Sequence, residues 1–196
     1  MVSNRRIGAE DSKSRAALLD AAEQIMLEQG YAAVSSRRIA ERAQLKPQLV
    51  HYYFRTMDDL FLAAFRRRAE IGLEHLTKIL ESGQPLRALW AFADDPTGTA
   101  LNMEFVALAN HRKSIRSEIA RYGELFRAKQ AAALAAAMGE QGIDTDRFPP
   151  LAVMTVITGI GQILVLEESL GMTAGHTETR AMVARILDGY GQEATP

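Results

Sequence analysis

Apolar side chains recur three and four positions apart along nearly the whole chain, the period of α-helices that bury one face. Leu18, Ala21, Ala22, Ile25 and Met26 form such a stripe on a helix expected from about Ser12 to Gln29, and Gly30 ends it. A long helix is expected from about Met57 to Leu80, its stripe being Leu60, Phe61, Ala64, Phe65, Ile71, Leu76 and Ile79. At about 1.5 Å per residue such a helix joins regions roughly 30 Å apart.

Beyond the break at Glu81–Pro85, a short helix carries Leu86, Leu89, Trp90 and Phe92. The segment DDPTGT, Asp94 to Thr99, reads as a loop. Helices are then expected near Ala100 to His111 and from about Ser114 to Glu140, the second bearing Ile119, Tyr122, Leu125, Phe126 and Leu134. The segment from Gly142 to Pro150 is the clearest later boundary. Leu151 to Leu166 is apolar on most sides but shorter than the roughly 20 residues of a membrane span, so it reads as a buried helix. A loop, GMTAGHTET, precedes a last helix with Met182, Val183, Ile186, Leu187 and Tyr190. No repeat and no strand pattern emerges, and the predicted class is all-α.

One stretch departs from this plain patterning. In SSRRIAERAQLKPQLVHYYF, Ser35 to Phe54, two short helical patterns meet around a break at Gln44 to Lys46. Ile39, Ala40 and Ala43 share a face of the first, which Ser35 or Ser36 caps through a hydroxyl that accepts a free backbone N–H. Pro47 suits the first turn of the second, where its missing N–H costs nothing. Val50 and Phe54 point toward the first helix. Gln48, His51 and Tyr52, spaced i, i+3 and i+4, form one presented polar and aromatic face. Gln pairs bidentately with an adenine edge, and His or Tyr can bond a base or phosphate while the ring touches a thymine methyl. From Ser35 to Arg55 the residues Arg37, Arg38, Arg42, Lys46 and Arg55 stand against Glu41 alone, a local net charge of +4 that attracts phosphate. The stretch reads as a helix-turn-helix that touches double-stranded DNA.

Composition limits the alternatives. The 196 residues can hold one large or two small domains; the chain is 47% hydrophobic and 24% charged, which argues against long disorder. The formal net charge of −1 means that a basic module is balanced by an acidic remainder. Without cysteine there is no disulfide framework and no thiolate metal site, in keeping with a cytoplasmic protein. Residues 1–11 read as a flexible arm whose Arg5 and Arg6 either reach DNA or belong to a solvated tail. Catalytic patterns are missing. The four histidines, His51, His75, His111 and His176, have no metal-ligand spacing, and no HExxH, GxSxG or Walker sequence occurs. The pair Glu167 and Glu168 is adjacent and therefore divergent on a helix. Neither an enzyme nor a cofactor or metal is expected.

The chain resembles the tetracycline-repressor (TetR) family of transcriptional regulators over Arg15 to about Phe61. The motifs that carry this are RAALLDAAEQIMLEQGY, SSRRIAERA, LKPQLVHYYF and RTMDDLF. The resemblance implies DNA contacts at Ser36, Arg37, Lys46, Pro47, Gln48, His51, Tyr52 and Tyr53, with Arg55 and Thr56 at the DNA backbone. It departs from the family pattern at Gln44 and Gln48 in place of Gly, Lys46 in place of Ser, His51 in place of Tyr, and Met57 in place of a phosphate-binding Lys. The implied division is a DNA-binding domain at 12–56 and an effector-binding and dimerisation domain at 57–192.

A lone helix-turn-helix makes few base contacts, so a homodimer on a palindromic operator is expected. The Leu151–Leu166 helix and the last helix are the apolar candidates for its interface; Gly159 and Gly161 allow close helix approach there or fill a tight monomer core. The resemblance further implies a repressor released by a small, partly apolar molecule. Its lining would come from Trp90, Met103, Phe105, Tyr122, Phe126, Thr158 and Gln162, and Asn102, Glu104, Asn110 and His111 could also orient it. A regulator without an effector and an activator are the other readings, and neither needs a membrane.

Overall fold

The computed structural model describes residues 12–80, 84–140 and 142–192, the side chains of 189–192 aside. The arm at 1–11 and the side chain of Tyr190 lie outside the described residues. Nine α-helices and one 3₁₀ turn account for the secondary structure described, with no strand among them. They are α1 Lys13–Gln29, the 3₁₀ turn Tyr31–Ala33, α2 Ser36–Arg42, α3 Pro47–Tyr53, α4 Met57–Leu80, α5 Pro85–Ala93, α6 Pro96–Ala109, α7 Lys113–Glu140, α8 Pro150–Ser169 and α9 His176–Gln192.

The helices sort into two compact units. One takes in the described residues up to Ile71 together with Leu101–Arg121; the other takes in Gly72–Ala100 and the described residues from Tyr122 onward. The first unit thus needs more chain than 12–56. Three short helices cannot cover their own apolar faces, and Leu60, Phe61, Ala64 and Phe65 of α4 and Phe105 and Leu108 of α6 are buried with them. Phe65 and Phe105 meet edge to face, 5.3 Å between centroids. Arg67 on α4 reaches Asp20 and Glu23 of α1, each at 2.7 Å, and Arg66 reaches Glu118 at 2.8 Å. The predicted α1 stripe is buried in full.

The second unit has its core at Leu76, Leu89, Leu134, Met138 and Met154, with Phe92, Phe126 and Ile157 packed against it. Gly161 of α8 is buried where the helix meets α5: a Cβ there would stand 2.8 Å from Cβ of Ala93. Gly159, two positions earlier, is exposed, with nothing within 4 Å. One glycine is therefore a core contact and the other is not.

Several sequence expectations need correction. The loop read at Asp94–Thr99 is the start of a helix, because Asp95 accepts the Gly98 N–H at 2.8 Å and Pro96 takes the first helical position. Likewise α9 begins at His176, inside the expected loop. Ile71 and Leu125 are exposed rather than buried; Ile71 lies roughly 200° around α4 from buried Ala69. Nor is α8 a buried helix. Met154, Gly161, Leu164 and Val165 face inward, while Leu151, Val156 and Ile163 are 53%, 60% and 45% exposed. On α9 Val183 and Leu187 are buried, but Met182 and Ile186 are exposed.

Candidate nucleic-acid interface

Local chemistry sets the two short helices at their angle. Ser35, not Ser36, caps α2, its hydroxyl accepting the Arg38 N–H. At the other end Gln44 N–H bonds the Glu41 carbonyl at 3.1 Å and Leu45 N–H bonds that of Ala40 at 2.9 Å. This is the two-bond Schellman closure, which requires a left-handed residue, and Gln44 supplies it at φ 55°. Lys46 then precedes Pro47 in extended conformation, as a residue before proline prefers, and α3 begins.

Val50 and Phe54 are 2% and 3% exposed, so one edge of α3 is locked into the unit. The guanidinium of Arg15 lies over the Phe54 ring at 5.3 Å. The opposite edge is open: Lys46, Pro47, Gln48, His51 and Tyr52 are all exposed, and Tyr53 is half-buried with its ring 5.0 Å from that of Tyr52. The predicted reading face is therefore one surface, and Ser36, half-buried, and exposed Arg37 stand at the start of α2.

The cations divide. Arg42 donates two parallel hydrogen bonds to the Glu28 carboxylate of α1, and they hold Glu28 below the usual carboxylate range. Arg38 donates to the Ala33 carbonyl at 3.1 Å and to Gln29. Both face back into the protein's own surface. Among the described residues, Arg37, Lys46 and Arg55 make no hydrogen bond or ion pair, and they are the cations open to phosphate. Thr56 has a second task. Its hydroxyl accepts the Asp59 N–H at 3.1 Å while Asp59 accepts the Thr56 N–H at 3.0 Å, a reciprocal cap on α4. The hydroxyl proton remains available to an outside acceptor.

The residues expected around a small molecule are shared between the two units. Met103 and Phe105 belong to the first unit, where Phe105 is 1% exposed and packed on Phe65. Trp90, Tyr122, Phe126, Thr158 and Gln162 belong to the second. There Phe126 lies 5.7 Å from Phe92, Thr158 donates to the Met154 carbonyl at 2.8 Å, and Gln162 is exposed on the open side of α8. Glu104, read as a ligand-orienting group, is already bonded to the backbone of Tyr31. Sequence periodicity carried no signal for that bond, which spans 73 positions.

A capped helix, a tight turn and a second helix that buries one edge and presents the other define a helix-turn-helix DNA-binding protein. Residues 18–64 match the family model described as bacterial regulatory proteins, tetR family. Solved structures of similar fold include a transcriptional regulator from Rhodococcus sp. Rha1, 21% identical over 93% of this chain and 100% of that one, TM-score 0.70. A TetR transcription regulator from Haloarcula marismortui is 21% identical over 90% and 97%, TM-score 0.69. The multidrug binding protein EbrR in complex with imidazole is 26% identical over 89% and 95%, TM-score 0.60. No curated protein sequence matches. Residues 18–64 thus carry a helix-turn-helix segment of the tetR-family type, and the chain shares the fold of solved transcriptional regulators.

Proposed function

We propose that the protein is a cytoplasmic repressor that binds a palindromic operator as a homodimer and is released by a small, partly apolar molecule. The observation that carries the dimer is the open apolar line on α8 and α9: Val156, Ile163, Met182 and Ile186, all at least 45% exposed in the single chain. Surfaces of that kind are partner sites in soluble proteins. By length and composition α8 is the one helix among the described residues that qualifies for a membrane. Its packing on α5 through Gly161 and the polar Thr155 and Gln162 on its open side favour a second copy over lipid.

In this reading Gln48, His51 and Tyr52 meet base edges, and Ser36, Pro47 and Tyr53 support them. Arg37, Lys46, Arg55 and Thr56 meet phosphates. Residues 57–192 form the effector-binding and dimerisation region. Support for an effector comes from the soft, large side chains Trp90, Met103, Phe105, Tyr122 and Phe126, with Thr158 and Gln162 as polar partners, and from the fold shared with a multidrug binding protein. A ligand releases DNA only through different affinities for two states.

The test is selection of bound sequences from a random duplex pool, followed by light scattering on the free protein and release assays with aromatic and cationic compounds. A two-fold symmetric motif, a dimer in solution and displacement by at least one compound are expected. A monomer on an asymmetric motif refutes the dimer. A dimer that no compound displaces favours a regulator without effector, and an operator upstream of the promoter that raises transcription favours an activator.

A further inference from the structure

The corner between α1 and α2 is held from two sides. Gly30 closes α1 at φ 79° and ψ 161°, a conformation that only glycine adopts readily. The 3₁₀ turn follows, closed by Ala33 N–H to Gly30 O and Val34 N–H to Tyr31 O, both 3.1 Å. The N–H of Tyr31 points out of that turn and donates to Oε2 of Glu104 on α6 at 2.6 Å, in a part-buried setting. On the other side the Ala33 carbonyl accepts Nη1 of Arg38, whose second nitrogen reaches Gln29, the last residue of α1. Both α6 and α2 thus grip one hydrogen-bonded turn. Arg38 stands next to the open Arg37 at the start of α2.

We infer that Glu104 is a positioning residue for DNA reading: with Arg38 it clamps the Tyr31–Ala33 turn and so sets the angle at which α2 and α3 are presented. The inference rests on the DNA-binding reading of α2 and α3. The three helices already have an apolar core in Leu18, Ile25, Ile39, Val50 and Phe54. Loss of one carboxylate leaves that core intact and loosens the corner instead. The bond is also directional. A carboxylate accepting a backbone N–H is stronger than a neutral pair, and without it the Tyr31 N–H has no acceptor among the described residues.

The test compares wild type, Glu104→Ala, Glu104→Gln, Arg38→Met and the Glu104→Ala/Arg38→Met pair on the selected operator at several salt concentrations, with urea unfolding and amide exchange at Tyr31. Glu104→Ala is expected to lose about tenfold in operator affinity, equivalent to about 1.4 kcal/mol, with faster Tyr31 exchange and an unchanged salt slope. Glu104→Gln, whose amide oxygen still accepts, should restore most of the affinity. Arg38→Met should also leave the slope unchanged, and the double variant should lose less than the two singles combined. Wild-type affinity in Glu104→Ala overturns the inference, as does a loss matched by the unfolded fraction. A lower slope in Arg38→Met assigns that residue to phosphate and overturns the clamp. Should Glu104→Ala not fold, Arg38→Met decides: wild-type operator affinity together with normal Tyr31 exchange in that variant is the overturning result. Failure of wild type to bind any duplex would refute DNA reading itself, a separate outcome.

Discussion

Gln44 is the one non-glycine residue with positive φ among the described residues, and substituting glycine there should stabilise the protein. The same two-bond closure ends α7, where Gly142 has φ 67°, and α8, where Gly171 has φ 80°. Glycine therefore fills the position twice and glutamine once. A residue with a Cβ costs about 1–2 kcal/mol in the left-handed region. Glycine offsets part of that gain through about 0.5–1 kcal/mol of greater freedom in the unfolded chain. The Gln44 side chain is exposed and makes no hydrogen bond among the described residues, so nothing else is lost. Gln44→Gly should then gain about 0.5–1 kcal/mol, or roughly 1–4 °C in midpoint for a chain of this size. Urea and thermal unfolding measure it. Gln44→Ala should match wild type, and Gly171→Gln should lose about what Gln44→Gly gains. An unchanged or lower midpoint for Gln44→Gly would refute the strain argument.

In the proposed dimer Arg37, Lys46 and Arg55 would supply six cations, so the operator-binding salt slope should be about −5; Arg55→Ala should lessen it by about 2, whereas Arg42→Ala, paired with Glu28, should leave it unchanged. In competition with random duplex, Gln48→Ala and His51→Ala should cut discrimination more than overall affinity. Gly161→Ala, which forces α5 and α8 apart, should lower the unfolding free energy by about 1–3 kcal/mol. Gly159→Leu should spare the isolated fold but raise the dimer dissociation constant by sedimentation; an unaffected dimer would remove α8 from the interface. His176, bonded to Glu167 at 2.8 Å and Glu168 at 3.3 Å, is raised above its ordinary 6.5 chiefly by the Glu167 bond. Arg180 and Asp94 complete that cluster. Its raised value means that the stabilisation is full below pH 6.5 and fades as pH rises through the folded value. His176→Asn should flatten the urea midpoint over that alkaline side, and an identical profile in both proteins would exclude the effect.

Helical class, the helix-turn-helix and the exposed face of α3 follow from the sequence, because periodicity, caps and proline placement are local and cooperate over a few residues. Leu18, Ala21, Ala22, Ile25, Met26, Val50 and Phe54 went inward, and Gln48, His51 and Tyr52 outward, as their spacing requires. Tertiary structure decided what depends on neighbours far along the chain. Arg38 and Arg42 look like Arg37 in sequence; α1 and the Tyr31–Ala33 turn take two of the three. Gly159 and Gly161 are alike in composition, and Ala93 distinguishes them. Glu104 reads as a lone acid on an apolar helix until the fold brings the Tyr31 N–H to it. The common reason is that a side chain's charge or size is written in its letter, whereas the partner that uses it is chosen only when distant segments pack.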